Sequence, residues 1–143
     1  MSVSAGWLLA VAVAPAASHS DSVERGGTTY DVHYRAAIEI DSKTIGTSPP
    51  TRRSTKRCVV HAQMMVERTI AANGAAGGLT TVLPARKKIS NVSHGQCRDQ
   101  DAQARDLVES RADTIDAFLA SAARDDRGAA LAAIDAARKF ATN

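Results

Sequence analysis

The stretch YDVHYRAAIEI at residues 30–40 decides the fold, because its apolar and polar residues alternate. One face carries tyrosines and aliphatic side chains, while the other carries Asp31, His33, Arg35 and Glu39. A period of two residues is typical of a strand with one buried face. The stretch therefore predicts a half-buried β-strand, and the rest of the chain has to supply its partners and its cover.

Two segments further along the chain are candidates to pair with this strand. Residues 58–70, CVVHAQMMVERTI, alternate in the same way, but their apolar residues also fit a helical spacing, so strand and helix both stay open. Residues 79–83, LTTVL, predict a short third strand that Pro84 ends or marks as an edge. A turn is expected at residues 73–78, and residues 41–57, with their prolines and polar residues, predict a long connection.

The chain beyond residue 99 changes to a helical spacing. Apolar residues recur at intervals of three and four up to residue 122, and they predict an amphipathic helix that Asp99 or Asp101 begins. Asp125 and Asp126 predict a break and the N-cap of a second, shorter helix. We therefore expect an α+β fold, in which a small antiparallel sheet of about three strands is followed by two C-terminal helices packed on one face.

The beginning of the chain indicates export. Residues 7–14, WLLAVAVA, form an uncharged apolar run, small residues follow it, and no charged residue occurs before Asp21. We expect residues 1–17 to be a cleaved signal peptide, residues 18–29 a flexible lead-in, and residues 30–143 a single α+β domain that is periplasmic or secreted. The alternative is a tail that stays on the protein. No transmembrane span is expected, since a span needs about 20 apolar residues.

Two cysteines, Cys58 and Cys97, connect the fold to its compartment. Aromatic residues are only 3% of the chain, so the core depends on aliphatic residues and alanine, and a disulfide would add about 4 kcal/mol in the chain-entropy model. In an oxidising compartment two cysteines usually form such a bond. The alternatives are free thiols or a Cys2His2 zinc site, because His61 lies three residues after Cys58 and His94 three residues before Cys97.

The sequence contains none of the common catalytic motifs. It has no G-x-S-x-G elbow, no H-E-x-x-H helix and no phosphate-binding loop, and no cofactor is expected. Side chains suited to acid–base chemistry lie on the exposed faces of the predicted strands, namely His33, His61, Glu39 and Glu67. Together they would make a small hydrolase or metal-dependent enzyme. If these side chains lie apart, we expect the two glutamates to form ion pairs with Arg35 or Arg68.

Basic residues form two clusters in the predicted β part. They are Arg52, Arg53, Lys56 and Arg57 in the long connection, and Arg86, Lys87 and Lys88 after the third strand. Such clusters attract anionic surfaces, so we expect a small exported binding or accessory domain without catalysis, whose partner is an anionic glycan, a lipid head group or an acidic protein. Nucleic acid is not expected, because no stacking aromatic residues lie near the clusters. Plain solubility is the alternative explanation of the charge.

Overall fold

The computed structural model describes residues 17–73, 75 and 77–142, and in them four strands and two helices. The elements in chain order are β1 (Ser18–Arg25), β2 (Thr28–Ile45), β3 (Arg57–Ala72), β4 (Leu79–His94), α1 (Gln100–Ser110) and α2 (Ala112–Ala141). The strands form one antiparallel sheet in the order β1-β2-β3-β4, so each strand pairs with the next along the chain. This confirms an α+β fold with two helices after the sheet, and it corrects the expected three strands to four.

The predicted signal peptide lies, except for Ala17, outside the described residues. Among the residues that are described, no helix is long and apolar enough to cross a membrane.

Strands β2 and β3 form the centre of the sheet and show the expected alternation. Val32, Tyr34 and Ala36 are buried on the side that the helices cover, which we call the inner face. On β3 every second residue from Cys58 to Ile70 is buried on this same face. Residues 58–70 are therefore a strand and not a helix, because only a period of two puts these positions on one side. We call the opposite, uncovered side of the sheet the outer face.

The segment expected to be a flexible lead-in, residues 18–29, instead forms β1 and the first residues of β2. Ser18–Arg25 pairs with Thr28–Arg35, and Gly26 and Gly27 join the two strands with positive φ angles, as a type I′ hairpin turn requires. Sequence patterning misses β1 because it is an edge strand that is polar and largely exposed on both faces, so it lacks the alternation that marks β2.

Strand β4 is longer than the predicted third strand, since it runs through Pro84 to His94. Its register against β3 shifts between Met65 and Glu67, where β4 bulges, and Pro84 lies in this bulge. Proline is tolerated there because β4 is an edge strand and a bulge leaves residues unpaired. The second basic cluster therefore lies on a strand.

The two helices are separated at a different place from the predicted one. Arg111, between α1 and α2, has non-helical angles of φ −119° and ψ 18°. The break predicted at Asp125 and Asp126 is wrong, because α2 continues through both residues. The predicted start is confirmed, since the Asp99 side chain accepts a hydrogen bond of 3.0 Å from the Ala102 backbone N–H and so caps α1.

Asp126 forms an ion pair inside the protein and not a helix cap. Its partner is Arg68, an inner-face residue of β3 that is 6% exposed. The Arg68 Nη1 donates to both carboxylate oxygens of Asp126 at 2.8 Å, and the Tyr34 hydroxyl donates to Oδ2 at 3.1 Å. Burial, together with the charge of Asp126 and this hydrogen bond, raises the pKa of Tyr34 to about 12. The network fixes the position of α2 on the sheet.

The predicted disulfide is present, and Cys58 and Cys97 have an S–S distance of 2.06 Å and a Cα–Cα distance of 4.7 Å. Cys58 is buried near the start of β3, while Cys97 lies in the connection between β4 and α1. The bond therefore ties the sheet to the helices, as expected. The core next to it draws its largest fully buried side chains from both layers, among them Met64, Val66, Ile115, Leu119 and Ile134.

Candidate functional site

The outer face of the sheet holds most of the site residues proposed from the sequence. Residues opposite one another on β2, β3 and β4 form rows across it. From the end where β2 turns into β3, the first five rows are Ile45–Arg57–His94, Lys43–Val59–Val92, Asp41–His61–Ser90, Glu39–Gln63–Lys88 and Ala37–Met65–Arg86. Ten of these fifteen residues are polar or charged, as is typical of a surface in contact with water or with a polar ligand.

Positive charge is concentrated in one part of the chain. Residues 42–98 contain ten lysines and arginines and a single acidic residue, Glu67, although the whole protein carries a net charge of only +3. This segment comprises the end of β2, the loop that follows, β3 and β4. All other acidic residues lie in β1, in β2 and from residue 99 onward. The half of the sheet formed by β3 and β4 is therefore the positively charged half.

The strongest positive group, which we call the basic hairpin, lies where β2 turns into β3. It consists of Lys43, Arg52, Arg53, Lys56 and Arg57. Because β2 continues to Ile45, the predicted long connection is reduced to a loop at residues 46–56. Lys43 and Arg57 lie on the outer face beside the loop, and Arg52 and Arg53 are exposed within it. The structure thus brings the whole first predicted cluster to one end of the sheet.

The loop of the basic hairpin is held in shape by its two ends. The Thr55 backbone N–H donates to the Thr47 carbonyl at 2.8 Å, and the Thr55 hydroxyl accepts from the Thr47 N–H and donates to its carbonyl, both at 3.1 Å. Gly46 has a φ of +95°, and a Cβ there would lie 2.4 Å from the Thr55 carbonyl oxygen, so glycine is required. A fixed loop loses less conformational entropy when Arg52 and Arg53 bind a partner.

The cations of the basic hairpin have no carboxylate partner among the described residues. The ion pairs among all described residues are His19–Asp21, Arg25–Asp135, Arg35–Glu67 and Arg68–Asp126. None of them includes a residue of the basic hairpin. Neighbouring charges of one sign without counter-charges raise the local concentration of anions and steer them to the surface.

The second predicted cluster, Arg86 to Lys88, does not join the basic hairpin. Lys88 lies six residues along β4 from the partner of Arg57, so about 20 Å of strand separates the two clusters. Arg86 donates to two backbone carbonyls of the β4 bulge and thereby has a structural partner. Lys87 and Lys88 lie on an edge strand, where lysine hinders pairing with another chain. The positive charge of this cluster has a structural explanation that the basic hairpin lacks.

A shallow depression of about 420 Å³ lies on the outer face next to the basic hairpin. The rows Asp41–His61–Ser90 and Glu39–Gln63–Lys88 line it. Ile40, Ala62 and Ile89, which lie between those two rows, complete the lining. His61 Nδ1 and Ser90 Oγ are 2.9 Å apart and share a hydrogen bond. The remaining lining side chains offer two carboxylates, an amide and an ammonium group: Glu39, Asp41, Gln63, Lys88. The depression is therefore suited to a ligand with many hydroxyl groups.

The four residues of the hydrolase alternative do not converge. His61 and Glu39 line the depression, whereas His33 lies opposite Thr69, which is eight residues along β3 from His61 and so about 26 Å away. Glu67 forms an ion pair of 2.7 Å with Arg35, the role expected of it if it did not take part in a site.

The His61–Ser90 pair has the composition of a base and a nucleophile, but its surroundings do not activate it. His33 and Ser20 form the same kind of pair at 2.7 Å elsewhere on the outer face. Among the described residues, Asp41 makes no hydrogen bond to His61, although it lies opposite it in the same row. Because a catalytic histidine needs a partner that orients it, cross-strand packing explains both pairs better than catalysis.

The zinc alternative is ruled out by the disulfide, which leaves neither Cys58 nor Cys97 as a thiolate ligand. His61 is also exposed on the outer face while Cys58 is buried on the inner face, because residues three apart on a strand point to opposite sides. In the described ranges, no group of three or more His, Cys, Asp or Glu side chains is placed to hold a metal ion.

Sequence reasoning missed the depression, although the signal for half of it was present. The alternation of β2 and β3 assigns Glu39, Asp41 and His61 to exposed faces. What the sequence could not supply was the register, because the length of the loop at residues 46–56 decides which residues lie opposite one another.

Comparison of the chain with protein-family models, curated proteins and solved structures found no match.

Proposed function

We propose that this protein is a small exported binding domain without catalytic activity, and that it holds an anionic glycan on the outer face of its sheet. The basic hairpin would contact the acidic groups of the glycan. The neighbouring depression would bind the hydroxyl groups of its sugar rings.

The observation that carries the proposal is the unneutralised positive charge of the basic hairpin. Lys43, Arg52, Arg53, Lys56 and Arg57 lie together at one end of the sheet, in a loop held by its own hydrogen bonds. Like charges gathered in this way repel one another, so the arrangement does not stabilise the fold and needs another reason.

The depression favours a glycan over the other two partner classes. Its carboxylates, amide and hydroxyl are groups that form hydrogen bonds with sugar hydroxyls. A lipid surface would be contacted through apolar side chains, and this end of the outer face exposes only Ile45 and Val92 as large apolar residues. The charges of Glu39 and Asp41 would repel an acidic protein and the acidic groups of a glycan alike, but a glycan also presents many hydroxyl groups, which donate hydrogen bonds to carboxylates.

Export is supported by the disulfide, since such bonds persist in oxidising compartments. The test is mass spectrometry of protein recovered from outside the cytoplasm. We expect an N-terminus near residue 18 and two cysteines without free thiols. A chain that keeps residue 1 and carries two free thiols would contradict export.

The binding test compares two variants with the same change in net charge. In the first, Arg52, Arg53, Lys56 and Arg57 are each replaced by Gln. In the control, four exposed cations of the helical layer are replaced by Gln: Arg105, Arg111, Arg124, Lys139. We expect the first variant to bind immobilised heparin about tenfold or more weakly than the wild type, and the control to keep most of its affinity. Equal losses in both would refute a specific surface.

A second comparison separates the partner classes. Gln63→Ala with Ser90→Ala alters the depression without changing charge, so it should weaken binding to heparin but not to vesicles of anionic phospholipid or to polyglutamate. If the wild type binds the vesicles or polyglutamate more tightly than heparin, the glycan proposal is wrong. If it binds none of the three in low salt, no anionic partner is supported.

A further inference from the structure

A second, smaller cleft lies on the other side of the sheet, between the end of β4 and α1. It has a volume of about 240 Å³, and the buried side chains of Val60 and Leu107 lie in its lining. The rest of the lining is polar, and its main members are Asn91, Ser93, His94, Arg98, Gln103 and Asp106. Asn91 and Ser93 lie opposite the inner-face residues Val60 and Cys58, so the cleft belongs to the inner face. It contains no residue of the basic hairpin, although His94 in its lining lies opposite Arg57.

Gln103 is the unusual residue of this cleft. It is 8% exposed, and its Nε2 donates to the Cys58 sulfur of the disulfide at 3.0 Å. Its Oε1 is shielded from water and has no hydrogen-bond partner among the described residues. A buried acceptor without a donor is costly, and the few that native proteins keep call for an explanation. A ligand that brings its own donor into the cleft supplies one.

Two opposite charges flank Gln103 in the lining. Asp106 lies one helical turn after it on the same side of α1, and Arg98 precedes the α1 cap Asp99. Both side chains are exposed, and in the described part of the chain neither belongs to an ion pair. The cleft thus presents a cation and an anion that do not neutralise each other.

We infer that this cleft binds a small zwitterion with one carboxylate and one ammonium group, as in a free α-amino acid. Arg98 would hold the carboxylate with its paired N–H donors. Asp106 would hold the ammonium group, and Gln103 Oε1, which has no donor among the described residues, would accept a hydrogen bond from the same group. A cleft of this size and polarity suits a single small metabolite and is too small for a drug-sized molecule.

The disulfide places these groups. Cys97 immediately precedes Arg98, and Cys58 receives the Gln103 amide. The three side chains that would bind the zwitterion therefore come from a connection and a helix that the covalent bond ties to β3.

The experiment uses the disulfide-bonded protein and six probes, namely glycine, L-alanine, L-serine, L-leucine, L-glutamate and L-lysine. Binding is followed by two-dimensional NMR of the labelled protein. The tightest binder is then compared with its carboxamide, which lacks the carboxylate, and with its N-acetyl form, which lacks the ammonium group. We expect saturable shifts around residues 91–107 for the amino acid, and binding at least about tenfold weaker for both blocked forms.

Matched variants test the assigned roles. Arg98→Gln, Asp106→Asn and Gln103→Leu should each weaken binding about tenfold, while Arg105→Gln and Asp101→Asn, on the opposite side of α1, should leave it unchanged. The spectrum of each variant without probe shows that it is folded. The inference fails if no probe gives saturable shifts, if a blocked form binds as tightly as the amino acid, or if the control variants weaken binding as much as the cleft variants.

Discussion

Met64 and Met65 are neighbours on β3, yet the first is fully buried beneath the helices and the second is only partly buried on the outer face. The two faces differ in the same way in their ion pairs. On the inner face, the side chains of Arg68 and Asp126 are 7% and 10% exposed, whereas on the outer face those of Arg35 and Glu67 are 59% and 28% exposed. In β2 and β3 the sheet thus carries a dry face that holds the helices and a wet face on the opposite side.

Alternate residues of β2 and β3 therefore have separate roles. Substitutions on the inner face of these two strands should change the free energy of unfolding, and substitutions on the outer face should change binding. Five changes test this division, and their expected effects decrease from Asp126 on the inner side to Glu67 on the outer face.

The largest effect is expected for Asp126→Ala, which leaves Arg68 charged, buried and unpaired. We expect the free energy of unfolding in denaturant to fall by about 3–5 kcal/mol. Asp125→Ala, at the exposed neighbouring position, should change it by less than about 0.5 kcal/mol. Replacing both partners, with Arg68→Met and Asp126→Leu, should recover most of the loss. Similar losses at Asp125 and Asp126 would contradict the inner-face role of the ion pair.

Removal of the disulfide should have the next largest effect. Cys58→Ala with Cys97→Ala opens a loop with a sequence separation of 39 residues, and we expect a loss of about 2–5 kcal/mol. The free energy of unfolding of the wild-type protein should fall by the same amount when it is measured in the presence of a reductant. If the double variant is as stable as the oxidised wild type, the bond does not stabilise the fold.

The two methionines provide the most direct comparison of the faces. Met64→Ala should cost about 2–5 kcal/mol, because it opens a cavity under the helices. Met65→Ala should cost less than about 1 kcal/mol, because water can fill the space on the outer face. Both values come from the same denaturant titration. Equal costs would show that the outer face is covered in solution, for example by a second molecule.

Tyr34 makes the inner face sensitive to alkaline pH. Its folded-state pKa, about 12, lies above the value of 10.0 for a free tyrosine, so the folded state holds the hydroxyl proton more tightly than the unfolded chain. The stabilisation is complete below pH 10, and on the order of 2 kcal/mol should be lost as the pH rises from 10 to 12. Unfolding free energies measured across this range should fall less steeply in Tyr34→Phe. An identical slope would exclude Tyr34 as the cause.

The smallest effect is expected for the exposed ion pair. Glu67→Gln should lower the free energy of unfolding by less than about 1 kcal/mol, and the difference from wild type should shrink in high salt. A loss as large as that of Asp126→Ala would mean that burial does not separate the two ion pairs.

The sequence predicted β2 and the α1 cap from local patterns, because alternation marks β2 and Asp99 precedes a helical spacing. For β3 the alternation left a helix as the alternative, and the disulfide was predicted from the presence of two cysteines in an exported chain. β1 could not be predicted from the sequence, because a polar edge strand such as SHSDSVER carries little alternation. The bulge at Pro84 could not be predicted either, because it depends on how β4 pairs with β3.

Asp126 shows how the misplaced helix break could have been avoided. It falls on the apolar stripe of α2, in step with Leu119, Ala123 and Ala130, and Arg68 falls on the buried alternation of β3. An acid and a base that both occupy apolar positions indicate a buried pair. The prediction of an N-cap at Asp125 or Asp126 therefore divided α2 at the wrong place. The candidate site was predictable as a charge cluster, but its rows across three strands required the register.

The meander order of the sheet, in which each strand pairs with its predecessor, also governs how the protein can be assembled during synthesis. Each hairpin can close as soon as its second strand has emerged into the compartment where the protein folds, so the sheet can grow from its N-terminal strand onward. The helices that cover the inner face come last, from residue 100 onward. Until they arrive, the apolar side of the sheet is exposed to water and to other chains, and this interval is when the newly made protein is most prone to aggregate and most in need of a chaperone.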